Sequence, residues 1–245
     1  MTDHNDETLQ TYEQAAARYA ERTVRADDEP DDLVPLVAAH APPGAEVLEV
    51  GSGPGHDAAR LEALGFQVRR SDATRAFVEM QRAEGHEIDV LDVRTDDLGG
   101  PYDVVFAHAV LLHIDRADLP GVLARLRDAV RPGGLLAISL KEGDGEEWSS
   151  HKVDLPRHFT YWREGPLRVA LQRAGRRSCW SGSAGRTPTV PGYSACPAAA
   201  KPQAACGCWT GSVTRRRSRR SSPIETASTS RPAADSTAPT TAGAV

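Results

Sequence analysis

The sequence predicts an α/β fold built on a doubly wound, mostly parallel sheet with an N-terminal helical cap. Between residues 46 and 140, short apolar runs alternate five times with segments of helical periodicity. This alternation is typical of parallel strands joined by right-handed crossovers. The first run, Glu46–Val50, leads directly into a glycine-rich turn and an amphipathic segment. That order brings backbone close to a bound ligand, because glycine lacks a Cβ atom.

Two helices are expected before the first strand, and we assign residues 1–41 to a cap. Residues 8–24 carry apolar or aromatic side chains at helical spacing, and a second helix is expected to begin near Asp31. Tyr12 and Tyr19 leave two roles open, packing within the cap or contact with a ligand. The core is assigned to residues 42–177.

The glycine turn after the first strand has an unusual spacing. Gly51, Gly53 and Gly55 form a G-x-G-x-G pattern, whereas a dinucleotide site has G-x-G-x-x-G and would need glycine at His56. An acidic residue, Glu49, stands two positions before the first glycine. The alternative is a plain turn between strand and helix that binds no ligand.

A carboxylate marks the end of the second predicted strand. Residues 58–64 read as a helix closed by Gly65, and the strand that follows ends at Asp72. In α/β nucleotide sites, a carboxylate at this position holds ribose hydroxyls. Asp72 is equally suited to cap the helix predicted over residues 75–84, and both roles can coexist.

The remaining elements follow in regular order. Asp92 lies where the third run should end, and His108–His113 follow the fourth strand, Tyr102–Ala107. A helix from Leu119 to Val130 stops at the turn formed by residues 131–134. A fifth strand is predicted over residues 135–140 and a further helix over residues 164–174.

With these motifs in place, the chain resembles class I S-adenosylmethionine (SAM)-dependent methyltransferases of the small-molecule group from about Tyr12 to Gly175. The resemblance depends on the following segments: Glu49–Gly55, Asp72, Asp92, Tyr102–Val105, Leu112–His113, and Leu126 through Arg131-Pro132-Gly133-Gly134. It implies a Rossmann-like sheet, SAM as cofactor and an enzyme of class EC 2.1.1. It also implies in-line methyl transfer to a small-molecule acceptor, driven mainly by positioning.

The resemblance assigns roles to individual residues. Glu49 and the glycine loop would face the methionine part of SAM, Asp72 the ribose, and Asp92 the adenine amino group. The implied cofactor-binding residues are Glu49, Gly51, Ser52, Gly53, Gly55, Asp72, Asp92, Val93, Ala107, Tyr19 and Arg22.

A general base is required only if the acceptor must lose a proton first. His108 and His113 are the catalytic candidates, followed by His151 and His158. For His113 a capping or core role is an open alternative. The segment Arg157–Trp162 resembles the wall of an acceptor pocket in relatives.

Two other functions compete with this interpretation. A catalytically inactive relative would bind SAM as a regulatory module. An NAD(P)-dependent oxidoreductase is disfavoured by His56, which stands where the third glycine of a dinucleotide site belongs.

Composition indicates a soluble protein without a membrane span. The charged fraction is 26% and the hydrophobic fraction 40%, and the net charge of −5 does not indicate general affinity for nucleic acid. The polar, acidic residues Met1–Glu7 do not form a secretory signal. We therefore expect a cytoplasmic location, and we predict no metal site.

Residues 178–245 differ from the rest of the chain. They carry a net charge of +6, against −11 for residues 1–177, and contain no Leu, Phe or Met. Such a composition predicts a disordered basic tail in place of the two final antiparallel strands of the family. A slip of the reading frame near Gly175 is a second hypothesis, which the nucleotide sequence would test. Zinc binding by Cys196, Cys206 and Cys208 and nucleic-acid contact by Arg215–Arg220 are weaker alternatives.

Overall fold

The computed structural model describes residues 3–23, 33–174, 179–181 and 208–214. The helices are α1 (His4–Arg22), α2 (Val34–His40), α3 (His56–Ala63), α4 (Arg75–Ala83), α5 (Leu119–Ala129) and α6 (Glu164–Ala174). The strands are β1 (Glu46–Val50), β2 (Gln67–Asp72), β3 (Ile88–Val90), β4 (Tyr102–Ala107), β5 (Val130–Lys141), β6 (Glu146–Ser149), β7 (Arg157–Thr160), β8 (Cys179–Ser181) and β9 (Cys208–Thr214). A 3-10 turn spans Leu111–His113.

The main sheet has the strand order β3-β2-β1-β4-β5-β9-β8, and its pairings are parallel. β1 lies between β2 and β4. Strands β2 and β3 are added on one side of β1, and β4 and β5 on the other, so the direction of strand addition reverses at β1. This reversal is the topological switch point at which open α/β sheets bind ligands. The predicted fold class is confirmed.

The two faces of the sheet bury separate apolar clusters, because successive side chains of a strand point to opposite sides. Val104 and Phe106 of β4 pack with α2 and α3, whereas Val105 and Ala107 pack with α5 and α6. The prediction that both N-terminal helices form the cap therefore needs correction. α2 buries Val34 and Val37 in the layer with α3, and only α1 lies over the site.

Several local features hold α1 in place. Asp3 caps its first turn by accepting a hydrogen bond from the Asn5 amide at 2.9 Å. Thr8 Oγ1 accepts from the His158 amide at 3.0 Å, and Thr11 Oγ1 donates to the Pro156 carbonyl at 2.6 Å. α1 thus docks on β7 and the loop before it.

The sequence did not predict the two-stranded antiparallel sheet of β6 and β7. β5 also begins at Val130, earlier than expected, with an irregular register between Tyr102 and Val104 of its partner strand. The predicted turn at residues 131–134 is thus absorbed into the irregular start of β5.

Two short segments of the tail, β8 and β9, extend the sheet beyond β5. The other residues of 178–245, to which the prediction of a disordered tail also applies, lie outside the described residues. β9 pairs in parallel with residues 135–141 and with β8, whereas the resemblance implies two antiparallel strands at this edge of the sheet. Cys208–Thr214 is rich in aromatic and β-branched residues, and the edge of β5 offers unpaired backbone groups. The predictions for Cys196, Cys206 and Arg215–Arg220 lie outside the described residues.

Among the helices described, none combines the length and the apolar character required to cross a membrane.

Candidate functional site

A cavity opens at the carboxyl ends of β1, β2 and β4, with α1 across it. Its empty volume is about 1050 Å³, including the part open to solvent. Of the residues predicted from the sequence, those that line it are Tyr19, Gly51, Ser52, Gly53, Asp72, Asp92, Val93, His108 and His113. The structure therefore brings together side chains that are spread over 95 positions of the sequence.

The three glycines of the loop after β1 serve different purposes, although all have positive φ angles. A Cβ atom on Gly51 would lie 2.3 Å from Val110 Cγ2, so the loop packs tightly against the segment after β4. A Cβ atom on Gly55 would approach Gln81 and Arg70. At Gly53 nothing described lies within 4 Å, and this residue faces the cavity. The loop is therefore closely packed at Gly51 and Gly55 and open to the cavity at Gly53.

Glu49 stabilises the glycine loop through a hydrogen bond with Ser52. Its side chain is buried in β1, and Ser52 Oγ donates a hydrogen bond of 2.5 Å to its Oε2 atom. Burial raises the pKa of Glu49 to about 8, so its carboxyl group is protonated at neutral pH. Glu49 does not line the cavity directly, and it acts through Ser52.

A buried polar network that sequence reasoning missed continues from this point. Gln81 Nε2 donates to the Gly53 carbonyl at 2.8 Å and to Ser52 Oγ at 3.1 Å. Its Oε1 atom accepts from Arg70 Nη1 at 2.8 Å, and Arg70 also pairs with Glu62. The sequence signal for this network is Arg70 itself, a charged residue within a predicted buried strand, where an arginine requires polar partners.

Asp72 ties the glycine loop to the start of α4. Its Oδ2 atom accepts from the Gly53 amide at 2.8 Å, and its Oδ1 atom accepts from the Thr74 amide at 2.7 Å. Burial is the main cause of the raised pKa of Asp72. Each carboxylate oxygen has two lone pairs, so a ligand hydroxyl can still donate to either oxygen. The capping role is therefore present, and it leaves room for a ligand.

Asp92 is held by Arg94, a second residue that the sequence did not single out. The Arg94 Nη2 and Asp92 Oδ2 atoms are 2.7 Å apart. The same guanidinium reaches α1, at 2.9 Å from Asp3 Oδ2 and 2.8 Å from Asp6 Oδ1. The hydrogen bond to Asp92 is the largest cause of the raised pKa of Arg94. Arg94 therefore links the edge of the cavity to the cap.

His108 lies at the end of β4 with its ring oriented by a carboxylate. Its Nδ1 atom is 2.9 Å from Asp57 Oδ2, and its side chain is almost fully buried while contributing to the cavity wall. Asp57 belongs to the first turn of α3, so the imidazole is fixed between strand and helix. A histidine oriented in this way is suited to accept a proton from a bound acceptor.

His113 has a different environment. Its Nδ1 atom lies 2.6 Å from the His158 carbonyl and therefore donates, which leaves Nε2 to accept from Tyr12 Oη at 2.9 Å. Burial lowers the pKa of His113 to about 3, so the ring is neutral and a weak base. These contacts favour the capping or core role over a catalytic one.

Aromatic side chains from α1 and α4 form one wall. The rings of Tyr12, Tyr19 and Phe77 lie 5.4 to 5.9 Å apart, centroid to centroid. All three line the cavity, so Tyr12 and Tyr19 both pack within the cap and face the space where a ligand would bind.

Besides Glu49 and Gly55, two further predicted cofactor residues, Arg22 and Ala107, do not line the cavity. Arg22 Nη1 donates to the Lys152 carbonyl at 2.7 Å and lies 2.9 Å from Asp154 Oδ2, which directs it to the surface at the end of α1. Ala107 is completely buried on the α5 and α6 side of the sheet. The residues after it, Ala109 and Val110, line the cavity instead.

Comparison with known proteins identifies a family. Residues 17–177 match the model of a methyltransferase domain. The chain is 29% identical to hemagglutinin 1 of Eikenella corrodens over 50% of its own length and 41% of that protein. It is 32% identical to the tuberculostearic acid methyltransferase UfaA1 of Mycobacterium tuberculosis over 49% of its length and 28% of that protein. The chain thus spans less than half the length of these curated relatives.

Solved structures share the fold. The Burkholderia thailandensis 1,6-didemethyltoxoflavin-N1-methyltransferase, with 1,6-didemethyltoxoflavin and S-adenosylhomocysteine bound, superposes with a TM-score of 0.55 at 22% identity. The match covers 71% of this chain and 79% of that one.

Proposed function

The chain belongs to the methyltransferase-domain family, and we propose that it binds SAM in the cavity and transfers the methyl group to a small-molecule acceptor. The observation that carries the proposal is the pair of carboxylates, Asp72 and Asp92, beside the open face of Gly53 at the switch point of the sheet. SAM offers a ribose diol, an adenine amino group and a cationic methionine portion to such a site.

The cofactor would lie across the carboxyl ends of β1 and β2. Asp72 has lone pairs left for the ribose hydroxyls. Asp92 accepts two contacts from Arg94 on each oxygen, so a bond from the adenine amino group would replace one of them. The methionine portion would lie against the backbone of Gly51 and Gly53. This orientation directs the sulfonium methyl group toward His108, at the end of β4.

The reaction is proposed to be an in-line displacement. A lone pair of the acceptor forms a bond to the methyl carbon, the carbon–sulfur bond breaks, and its electron pair remains on sulfur in S-adenosylhomocysteine. The protein mainly positions the acceptor, which in well-oriented systems lowers the barrier by about 7–11 kcal/mol. A proton released by the acceptor would pass to His108, whose ring Asp57 orients.

The acceptor would occupy the part of the cavity nearest Tyr12, His108 and Val110. This region combines an aromatic ring, an imidazole and an aliphatic side chain, which suits a small, partly apolar molecule. The relatives with named reactions modify chemically different acceptors, so we propose the substrate class only as a small molecule.

Turnover tests the proposal. The untagged protein would be incubated with SAM and a panel of small hydroxyl, amine, thiol and carboxylate compounds, with S-adenosylhomocysteine quantified by mass spectrometry. We expect one acceptor class to raise S-adenosylhomocysteine formation above the acceptor-free rate. SAM binding without turnover for any acceptor would favour the regulatory module instead.

A His108→Asn variant tests the proposed base. We expect the turnover number to fall by about 10²- to 10⁴-fold while SAM affinity stays within a factor of a few. His113→Asn is an unsuitable control because that ring supports Tyr12, so His86→Asn, at a half-buried position in the turn after α4 and outside the cavity lining, serves instead. Equal turnover in His108→Asn and wild type would remove the residue from the mechanism.

A further inference from the structure

Three potential metal ligands converge on the side of α1 that faces β7. They are His4 in the first turn of α1, Asp115 after the 3-10 turn, and His158 in β7. We propose that these three side chains bind a divalent transition-metal ion that fastens α1 to the body of the protein. The proposal is independent of SAM binding, and it departs from the sequence-based expectation of no metal site.

The ligand atoms are spaced for a single ion. Asp115 Oδ1 lies 3.5 Å from His4 Nδ1 and 3.5 Å from His158 Nδ1, and all three ligand atoms lie within 4.8 Å of one another. With metal–nitrogen and metal–oxygen distances of about 2.0–2.2 Å, the ligands of a tetrahedral ion are separated by about 3.3–3.6 Å. One ion therefore fits among them with only small side-chain movements.

The two innermost ligand atoms have no hydrogen-bond partner among the residues that the structure describes. Asp115 Oδ1 and His158 Nδ1 are buried, and neither has a hydrogen-bond partner within the described part of the chain. His158 is only 2% exposed, so bulk water does not compensate. Buried polar atoms are paired in most proteins, and a bound ion is one established reason for an exception. These same two atoms face each other across the proposed site.

The surroundings match those of metal-bound histidines. Glu146 Oε2 lies 3.6 Å from the other ring nitrogen of His158, in position to orient the imidazole as outer-sphere carboxylates do. The Trp148 ring contacts both histidines, edge-on to His4 with a centroid distance of 5.6 Å and tilted to His158 with a centroid distance of 5.2 Å. The His4 side chain is 43% exposed, which provides an entry path for the ion.

The donor set indicates the class of metal. Two imidazoles and one carboxylate suit zinc, cobalt or nickel, whereas magnesium and calcium prefer oxygen ligands throughout. Three protein ligands also leave at least one coordination position for water.

Binding would affect the cap directly. Asn5, Thr8 and Tyr12, in the first turns of α1, line the cavity, and His4 precedes them by less than three turns. An ion that links His4 to β7 and to the loop after the 3-10 turn would hold this wall of the cavity in place.

Cobalt titration of the full-length, untagged protein tests the proposal. The protein is stripped with a chelator, and its cysteines are alkylated because thiolates in the tail also bind these ions. We expect one equivalent of Co²⁺ to bind with visible d–d absorption and without thiolate charge-transfer bands. His4→Ala and Asp115→Asn should each weaken binding at least about 10- to 100-fold, since loss of an outer-sphere partner alone has that effect.

His40→Ala is the matched control, because this exposed histidine on α2 contacts the Leu36 carbonyl one turn earlier in its own helix. His4→Ala alters an accessible position and is expected to remain folded, as circular dichroism would verify. The proposal is overturned if the alkylated wild type binds no Co²⁺. It is also overturned if His4→Ala binds as tightly as wild type, or if His40→Ala loses as much affinity as His4→Ala.

Discussion

Glu49 has an unusual ionisation state for a glutamate in a folded protein. Burial raises its pKa from 4.5 to about 8, so the folded state binds its proton more tightly than the unfolded state does. The resulting contribution to stability is fully present below about pH 4.5 and is lost as pH rises through about 8. The hydroxyl of Ser52 donates a hydrogen bond to this carboxyl group.

This linkage predicts a pH-dependent effect of Glu49→Gln, since glutamine retains a carbonyl acceptor but does not ionise. We expect the free energy of unfolding of wild type, relative to Glu49→Gln, to fall by more than about 1.4 kcal/mol between pH 5 and pH 8.5. Urea unfolding at both pH values measures it. Glu87→Gln, at an exposed position, should show no such trend. A difference between wild type and Glu49→Gln that does not change with pH would contradict the raised pKa.

In the glycine loop, an alanine substitution at Gly51 tests packing, and the same substitution at Gly53 tests contact with the ligand. Gly51→Ala would force a Cβ atom to within 2.3 Å of Val110, whereas Gly53→Ala meets nothing described within 4 Å. Both substitutions also carry the strain of a positive φ angle, about 1–2 kcal/mol.

We therefore expect Gly51→Ala to destabilise the protein more than Gly53→Ala, with a larger fall in the melting temperature. Gly53→Ala should remain folded but bind SAM more weakly, because its methyl group enters the cavity. Differential scanning fluorimetry and calorimetric SAM titration measure the two effects. Equal melting temperatures would show that the Val110 side chain moves aside without loss of stability. Unchanged SAM affinity in Gly53→Ala would show that the ligand does not contact Gly53.

α1 depends on Arg94 for its attachment to the cavity edge. Arg94 joins Asp92 to Asp3 and Asp6, and hydrogen bonds to charged groups typically contribute about 1.5–3 kcal/mol when buried. The Arg94 and Asp92 side chains are mostly buried, so solvent screens their bond less than that of a surface pair, whereas Asp3 and Asp6 are exposed and their bonds to Arg94 are screened more strongly.

Arg94→Ala is accordingly expected to accelerate amide hydrogen exchange in α1 by about tenfold, the equivalent of 1.4 kcal/mol, with α5 unchanged. Mass spectrometry of the exchanged peptides measures this difference. Arg163→Ala, which removes an exposed pair with Asp144, is the control. If α1 exchanges at the wild-type rate in Arg94→Ala, the link through Arg94 does not hold the cap.

At the scale of the whole molecule, the central part of the fold was predictable because its signals are local. β1, the glycine loop and α3 follow one another within 18 residues, each with its own composition. The carboxyl ends of parallel strands then meet at one edge of the sheet, so Asp72 and His108 could be assigned to a common site before any contact was known.

The parts that were missed depend on long-range contacts. Arg94 meets Asp6 across 88 positions, and the His158 backbone amide donates to the Thr8 hydroxyl of α1 across 150 positions. No local pattern encodes such pairings. The same reason explains β6 and β7, whose polar residues become strands by pairing with each other.

Calorimetric titration of the full-length protein with SAM tests the central claim most directly. Wild type is expected to bind SAM in a 1:1 complex and to show no heat with NAD⁺. Asp72→Asn should weaken SAM binding by about 1.5–3 kcal/mol, the cost of lost hydrogen bonds to a charged group, whereas Asp89→Asn, an exposed position on β3, should bind as wild type does. Absence of SAM binding by the folded protein, or equal SAM affinity in Asp72→Asn and wild type, would contradict the proposed cofactor site.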